Sequence, residues 1–269
     1  MRFQMFKGKK QNPNDLPAAP PSPVTNDLDI TKFYAGYDFR ASDQIVIHHP
    51  TVGEIIEYGE SEYYKMVYSL TAIPSDRISE LWEMGIDFTK VSDIEFFLTH
   101  AHHIQKKHSL ILFGEALDFS KFDIGRLGDE LVLYEKDAKV VIDPQTLSRI
   151  TSFLCQIHRI KKERVEAAGK LAMAGLVDVD RQEKELLKTK ASHSLVLLPL
   201  ISSMENSPGF KYRLTEIMNM PIFHFMDSVQ RISLITSVNQ IAIGHYTGSF
   251  DQKKFKPEKA LNWTCDLYE

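Results

Sequence analysis

The stretch Asp143-Pro-Gln-Thr-Leu-Ser-Arg-Ile-Thr-Ser-Phe-Leu-Cys-Gln-Ile157 decides the fold class of this chain. Aspartate is a strong N-cap, because its carboxylate accepts from backbone N–H groups that the first helical turn leaves free. Proline in the next position suits the start of a helix, where its missing N–H has no partner to lose. Leu147, Ile150, Leu154 and Ile157 then follow at spacings of 3, 4 and 3, which lines one face of a helix. A seam that narrow is fit to pack on a partner element. The sequence therefore predicts a helix from Pro144, with structured chain on either side of it.

Immediately upstream, Glu130-Leu-Val-Leu-Tyr-Glu135, a polar turn at Lys136-Asp137 and Val140-Val141-Ile142 predict a β-hairpin. Leu110 to Phe113 is an apolar run that reads as a further strand. Before it come four short helices with start and stop signals. Thr51 caps the first, which carries Ile55, Ile56 and Tyr58 and stops at Gly59. Tyr63, Met66, Val67 and Leu70 share one face of the second. Pro74 and Ser75 open the third, with Ile78, Leu81 and Trp82 inward and Gly85 at its end. Ser92 or Asp93 caps the fourth, through Ile94, Phe96, Phe97 and Leu98. Ile45 to Ile47 is a short strand, and folded sequence is expected from about Gln44. Residues 1–28 hold five of the twelve prolines and bury too little to offset ordering, which predicts a disordered arm. Phe3, Met5 and Phe6 would suit that arm to docking.

Downstream of the central helix, residues 161–190 are rich in Lys, Glu and Ala and read as a charged linker, helical with a break near Gly175. Leu195 to Met204 turns apolar again, and a turn follows at Asn206 to Gly209. Helices are then expected near Thr215 to Met220 and from Pro221 to about Ile243, the last ended by Gly244 and Gly248. The final helix is apolar on more than one face. The fold class that results is mainly α with a small β-hairpin region. Short N-terminal helices over 44–142 precede a C-terminal helical bundle over 143–269.

A net charge of −4 and a pI near 6.2 argue against a constitutive nucleic-acid binder, which carries a clustered basic excess. No stretch approaches the ~18 apolar residues of a membrane helix. Met1 to Lys10 is basic but lacks a signal peptide's apolar run. Cys155 and Cys265 form no CxxC pair, and Cys155 reads as a small core residue. The natural compartment is the cytoplasm.

Nothing in the sequence rises to a catalytic centre, and no cofactor is expected. His100, His102, His103 and His108 crowd together, with His100 and His103 on one helical face, but no carboxylate or cysteine falls at a matching metal spacing. A metal-dependent enzyme centred on that pair is the weakest alternative. Asp178-Val-Asp180 starts like a calcium loop and fails at Glu183, where glycine is needed. Gly125-Arg-Leu-Gly128 lacks the remainder of a phosphate cradle. The C-terminal aromatic and methionine residues carry more interest. Most belong to a core, yet Met-rich apolar surface also suits adaptable binding, because the unbranched thioether repacks. The candidate partner-binding residues are Phe210, Tyr212, Met218, Phe223, Phe225, Met226 and Trp263.

Thr51-Val-Gly-Glu-Ile-Ile-Glu-Tyr-Gly-Glu60, Leu197-Leu-Pro-Leu-Ile-Ser-Ser-Met204, Gly209-Phe-Lys-Tyr212, Phe225-Met-Asp-Ser-Val-Gln-Arg-Ile232 and Leu261-Asn-Trp263 resemble a family of tail-cluster proteins from phages and prophages of Gram-positive bacteria. The resemblance spans about residues 45 to 263. It implies a tail assembly chaperone that acts in the bacterial host cell. Its partners would be the tape-measure protein and tail tube subunits, whose apolar segments it holds in solution. A minor tail or connector protein retained in the particle is the alternative within the same class. The family brings no catalytic residues.

Overall fold

The computed structural model describes residues 22–136, 139–190, 197–248, 261–265 and 267. Ordered chain begins before Gln44. Strand β1 (Val24–Thr25) runs parallel to β2 (Asp38–Arg40), which pairs antiparallel with β3 (Val46–Ile47). Helix α1 (Ile30–Tyr34), capped by Asp29, lies between β1 and β2. Phe33 and Phe39 are fully buried. The dense run of prolines ends at Pro23, and these two rings supply the apolar burial that offsets ordering of the segment. The expected arm over 1–28 is thus corrected at its end, where β1 is paired; residues 1–21 lie outside the described residues.

The four short helices follow, as α2 (Val52–Tyr58), α3 (Glu60–Leu70), α4 (Ile78–Glu83) and α5 (Asp93–His100). Two begin in capping boxes. The Thr51 N–H donates to Glu54 at 2.7 Å while Thr51 Oγ1 accepts from the Glu54 N–H, and Ser92 and Glu95 repeat the pattern. Tyr63, Met66, Val67 and Leu70 are all buried on α3. On α4, Ile78 and Leu81 are buried but Trp82 is exposed, since one turn of so short a helix faces a single neighbour.

Leu110 to Phe113 is no strand. It forms the second half of α6 (Lys106–Phe113), where Leu112 and Phe113 are buried and Leu110 is exposed. A short apolar run does not distinguish strand from buried helix by itself. The hairpin stands as expected, β5 (Glu130–Glu135) antiparallel to β6 (Val140–Ile142), but a third strand, β4 (Asp123–Leu127), joins its other edge. Gly125 sits opposite the Tyr134 ring, which a Cβ there would meet at 2.7 Å.

Helix α7 (Pro144–His158) is the hub. Asp143 caps it, accepting from the Thr146 N–H at 2.7 Å. Leu147, Ile150, Leu154 and Ile157 are buried as the seam predicts, together with Phe153, and the helix touches α3, α5, β5, β6 and the last helix. Phe153 stacks on Phe39 at 5.1 Å and meets Phe33 edge-on at 5.1 Å. From the same helix Arg149 donates to three backbone carbonyls: Nε to Ala41 at 2.9 Å, and Nη2 to Asn26 and Arg40 at 2.8 Å each. Its guanidinium lies 5.0 Å over the Phe39 ring.

Helix α8 (Lys170–Lys190) runs through Gly175 without the expected break and rests on α4. A small second core of Ile78, Leu81, Phe88, Phe96 and Val177 forms between them. The chain continues through α9 (Leu197–Glu205), α10 (Leu214–Met218) and α11 (Ile222–Tyr246). α11 passes through Gly244 rather than ending there, and Gly248, at φ +71°, follows its last turn. The main core joins Phe33 and Phe39 to Phe153, Phe223 and Phe225, so the expected N-terminal and C-terminal regions share one interior. The protein is mainly α with two small three-stranded sheets. No helix among the described residues is long and apolar enough to cross a membrane.

Candidate interaction surface

The start of α11 is anchored before any surface is built. The Ile222 N–H donates to the Pro50 carbonyl at 2.9 Å, and the Phe223 N–H to His49 Nε2 at 3.4 Å. These contacts drive Phe223 and Phe225 inward, to 1% and 0% exposure. Both are therefore core residues, a correction to their place among the candidate contacts. Phe210, Met218 and Met226 are half-buried against the same core. Tyr212 is 41% and Trp263 53% exposed.

What the structure assembles is a row of rings. Phe210 meets Tyr212 edge-on at 5.3 Å, Tyr212 meets His224 at 6.0 Å, and His224 lies against Tyr34 at 4.0 Å. Tyr34, from α1, is itself 41% exposed. Burial raises the pKa of its hydroxyl, Asp227 and Tyr212 raise it further, and Arg231 opposes them. Burial lowers the pKa of the His224 ring. Tyr34 and His224 are the members that sequence reasoning missed. The signal for His224 is its place between two inward phenylalanines, which turns it to the other side of the helix. Trp263 stands apart from the row; its carbonyl and that of Cys265 accept from Arg231 Nη1 at 2.8 and 2.9 Å.

Beneath the row, Asp227 faces Arg159 at 3.6 Å, both side chains 11% exposed. Arg159 sits at φ +55° at the end of α7 and also donates to the Leu267 carbonyl at 3.1 Å. Across the sheet edge, His48 bridges Asp38 at 3.0 Å and Glu54 at 3.2 Å. Burial alone would lower the His48 pKa, but the two carboxylates outweigh it and raise the ring to about 9. In return His48 and the Thr51 contacts hold Glu54 down to about 2. This cluster ties β2, β3 and α2 together.

The other candidates have structural duties. His100 Nε2 lies 2.9 Å from the Ser69 carbonyl, which holds the ring against the end of α3. Among the described residues no three His, Cys, Asp or Glu side chains gather as metal ligands. Asp180 accepts from the Ser79 N–H at 2.9 Å and from Lys184 at 2.7 Å, fixing α8 to α4. His100 also lines an open cavity of about 700 Å³ with Lys65, Arg77, Lys162 and Lys184. Each of those cations has a carboxylate partner: Glu62, Glu80, Asp76 and Asp180 respectively. Cys155 is half-buried, and burial pushes its thiol up to about 11, away from reactivity. No family model matches the chain, and neither a curated protein nor a solved structure matches it.

Proposed function

We propose that this chain acts by stoichiometric protein binding, as a tail assembly chaperone of a phage or prophage in the bacterial cytoplasm. Its partners are apolar segments of a tape-measure protein and the tube subunits that assemble around it. The observation that carries the proposal is the ring row Phe210–Tyr212–His224–Tyr34, its two tyrosines exposed and its other two rings half-buried, with the half-buried methionines Met218 and Met226 on α10 and α11. Aromatic rings give large contact area at low entropic cost, and methionines adapt to varied partners. The second half of α11 supports it. From Ile232 to Tyr246 there is no Asp, Glu, Lys or Arg, and Ile243 and Tyr246 are 64% and 84% exposed. An apolar segment meets no charge there that would have to be stripped of water.

Co-expression with the tape-measure protein tests the proposal. The native chain is expected to keep that protein soluble, and a Tyr34→Ala/Tyr212→Ala variant to lose most of the effect while melting like the native chain. A tape-measure protein that stays equally insoluble with and without the chain overturns it. Phe223→Ala serves as a contrast, since it empties the core and should lower the melting temperature itself.

A further inference from the structure

Away from the ring row, α7 turns a second face towards a cavity of about 400 Å³ between itself, the end of α3 and the start of α5. The floor is dry. Leu70, Ile73, Ile94, Phe97 and Leu147 all line it, and none is more than 7% exposed. Along one wall α7 sets Ser148, Thr151 and Ser152, one helical turn in length, the Thr151 hydroxyl donating to the Leu70 carbonyl at 3.3 Å. The non-helical segment 161–168 passes over the opening and is pinned on both sides. Lys162 Nζ reaches Asp76 at 2.5 Å, and the Val165 N–H donates to Ser75 Oγ at 2.9 Å. Across the opening Arg164 Nη2 donates to the Val91 carbonyl at 2.5 Å and to Asp93 at 3.2 Å.

Lys162 and Arg164 both line this cavity. An ammonium has three N–H donors and a guanidinium five, so these contacts leave each cation with donors to spare. An apolar floor, a hydroxyl wall and two cations at the mouth are three parts of one recognition pattern. We infer that the cavity binds a small apolar molecule ending in a carboxylate, its body on the Leu70–Phe97–Leu147 floor and its anionic end under Lys162 and Arg164. The volume lies at the small end of ligand sites, which run from roughly 300 to 1,000 Å³. A planar carboxylate matches the guanidinium fork. A dianionic phosphate would meet Asp93 at the rim at greater cost, and a wholly polar sugar would leave the floor without contact. Two sources share this chemistry, an aliphatic acid and an apolar amino acid, whose ammonium would face Asp93.

Titration calorimetry on the full chain separates these with three probes: octanoate, phenylalanine and octanol. Saturable one-site binding of octanoate or of phenylalanine is expected, and whichever binds identifies the source. Octanol, lacking the charge, should bind roughly tenfold or more weakly, and Lys162→Gln should weaken the acid by a similar factor. Ser152→Trp, which places an indole in the cavity from the wall, should abolish binding. Arg164→Glu changes a half-exposed side chain whose contacts are the Val91 carbonyl and Asp93, away from the core, so it keeps the test open if the tryptophan variant does not fold. Failure of both acids to bind at millimolar concentration overturns the site. So does octanol binding as tightly as octanoate, or an affinity unchanged in Lys162→Gln and Arg164→Glu chains that melt like the native protein.

Discussion

Acidification from pH 7 to pH 5 should cost this protein a large part of its stability, through two buried imidazoles. His49 and His158 are 2% and 7% exposed. Burial holds His49 down to about 4, with the charge of His48 adding to it, and holds His158 down to about 3. The only polar contact of the His158 ring given by the described residues is Tyr63, whose hydroxyl lies 2.7 Å from Nε2. Because both folded values lie below the ordinary 6.5, the unfolded chain binds more protons in acid, and stability falls as pH drops from 6.5 towards 4. At ~1.4 kcal/mol per pH unit over ~1.5 units, each ring costs ~2 kcal/mol at pH 5, and the pair ~4 kcal/mol. His48 works the other way. Raised to about 9, it contributes stability present below 6.5 and lost as pH rises through 9, so between pH 7 and 5 it returns under ~1 kcal/mol once solvent screening is counted. Glu54, held to about 2, loses its contribution only below its ordinary 4.5, outside this window. The net loss from these three rings is ~3 kcal/mol, to which the lowered His100 and His224 add in the same direction, against a total of ~5–15 for a typical domain. Urea unfolding followed by circular dichroism at the two pH values measures it. Replacing both partners, Tyr63→Phe with His158→Leu, should remove ~2 kcal/mol of the pH dependence without leaving an orphaned polar group. Equal midpoints and slopes at pH 7 and 5 in the native chain would refute the reasoning.

Two further outcomes follow from packing and charge. Phe153→Ala removes the ring that stacks on Phe39 and meets Phe33, and should cost ~3–5 kcal/mol in denaturant unfolding; a loss under ~1 kcal/mol would mean α7 is not the hub. Asp227→Ala removes the carboxylate 3.6 Å from the largely buried Arg159 guanidinium and should cost up to ~3–5 kcal/mol, whereas a native-like melting curve would place that pair in water.

Where the chain punctuates itself with local chemistry, its architecture is legible. Thr51, Ser92 and Asp143 each cap the helix they announce, and Gly59 and Gly85, at φ +107° and +74°, end theirs. The misses lie where tertiary context decides. The run Leu110 to Phe113 carries no period long enough to separate strand from helix, and burial of Leu112 and Phe113 under α3 and β3 settles it. The glycines at 125 and 128 are poor phosphate ligands but good hairpin residues, one yielding room to Tyr134 and the other taking φ +64° in the turn between β4 and β5. Of the candidate contacts, Phe223 and Phe225 look like Tyr212 in a list of rings. Only the anchoring of α11 at Pro50 and His49 separates inside from outside. Tyr34 lies upstream of Gln44, where the sequence pattern expects folded chain to begin, so nothing in that pattern points to it.

The clasp that Arg149 forms on residues 26, 40 and 41 also orders events in time. Ribosomes deliver a chain from its N-terminus at ~5–20 residues per second. Arg149 follows Ala41 by 108 positions, so it trails the strands it holds by roughly 5 to 20 seconds of synthesis. Through that interval the carbonyls of Asn26, Arg40 and Ala41 lack the Arg149 guanidinium, and the rings of Phe33 and Phe39 lack Phe153 to cover them. The sheet of β1, β2 and β3 can pair before the hub helix leaves the ribosome, but a nascent chain stalled before Arg149 holds it without the clasp and without the Phe153 ring.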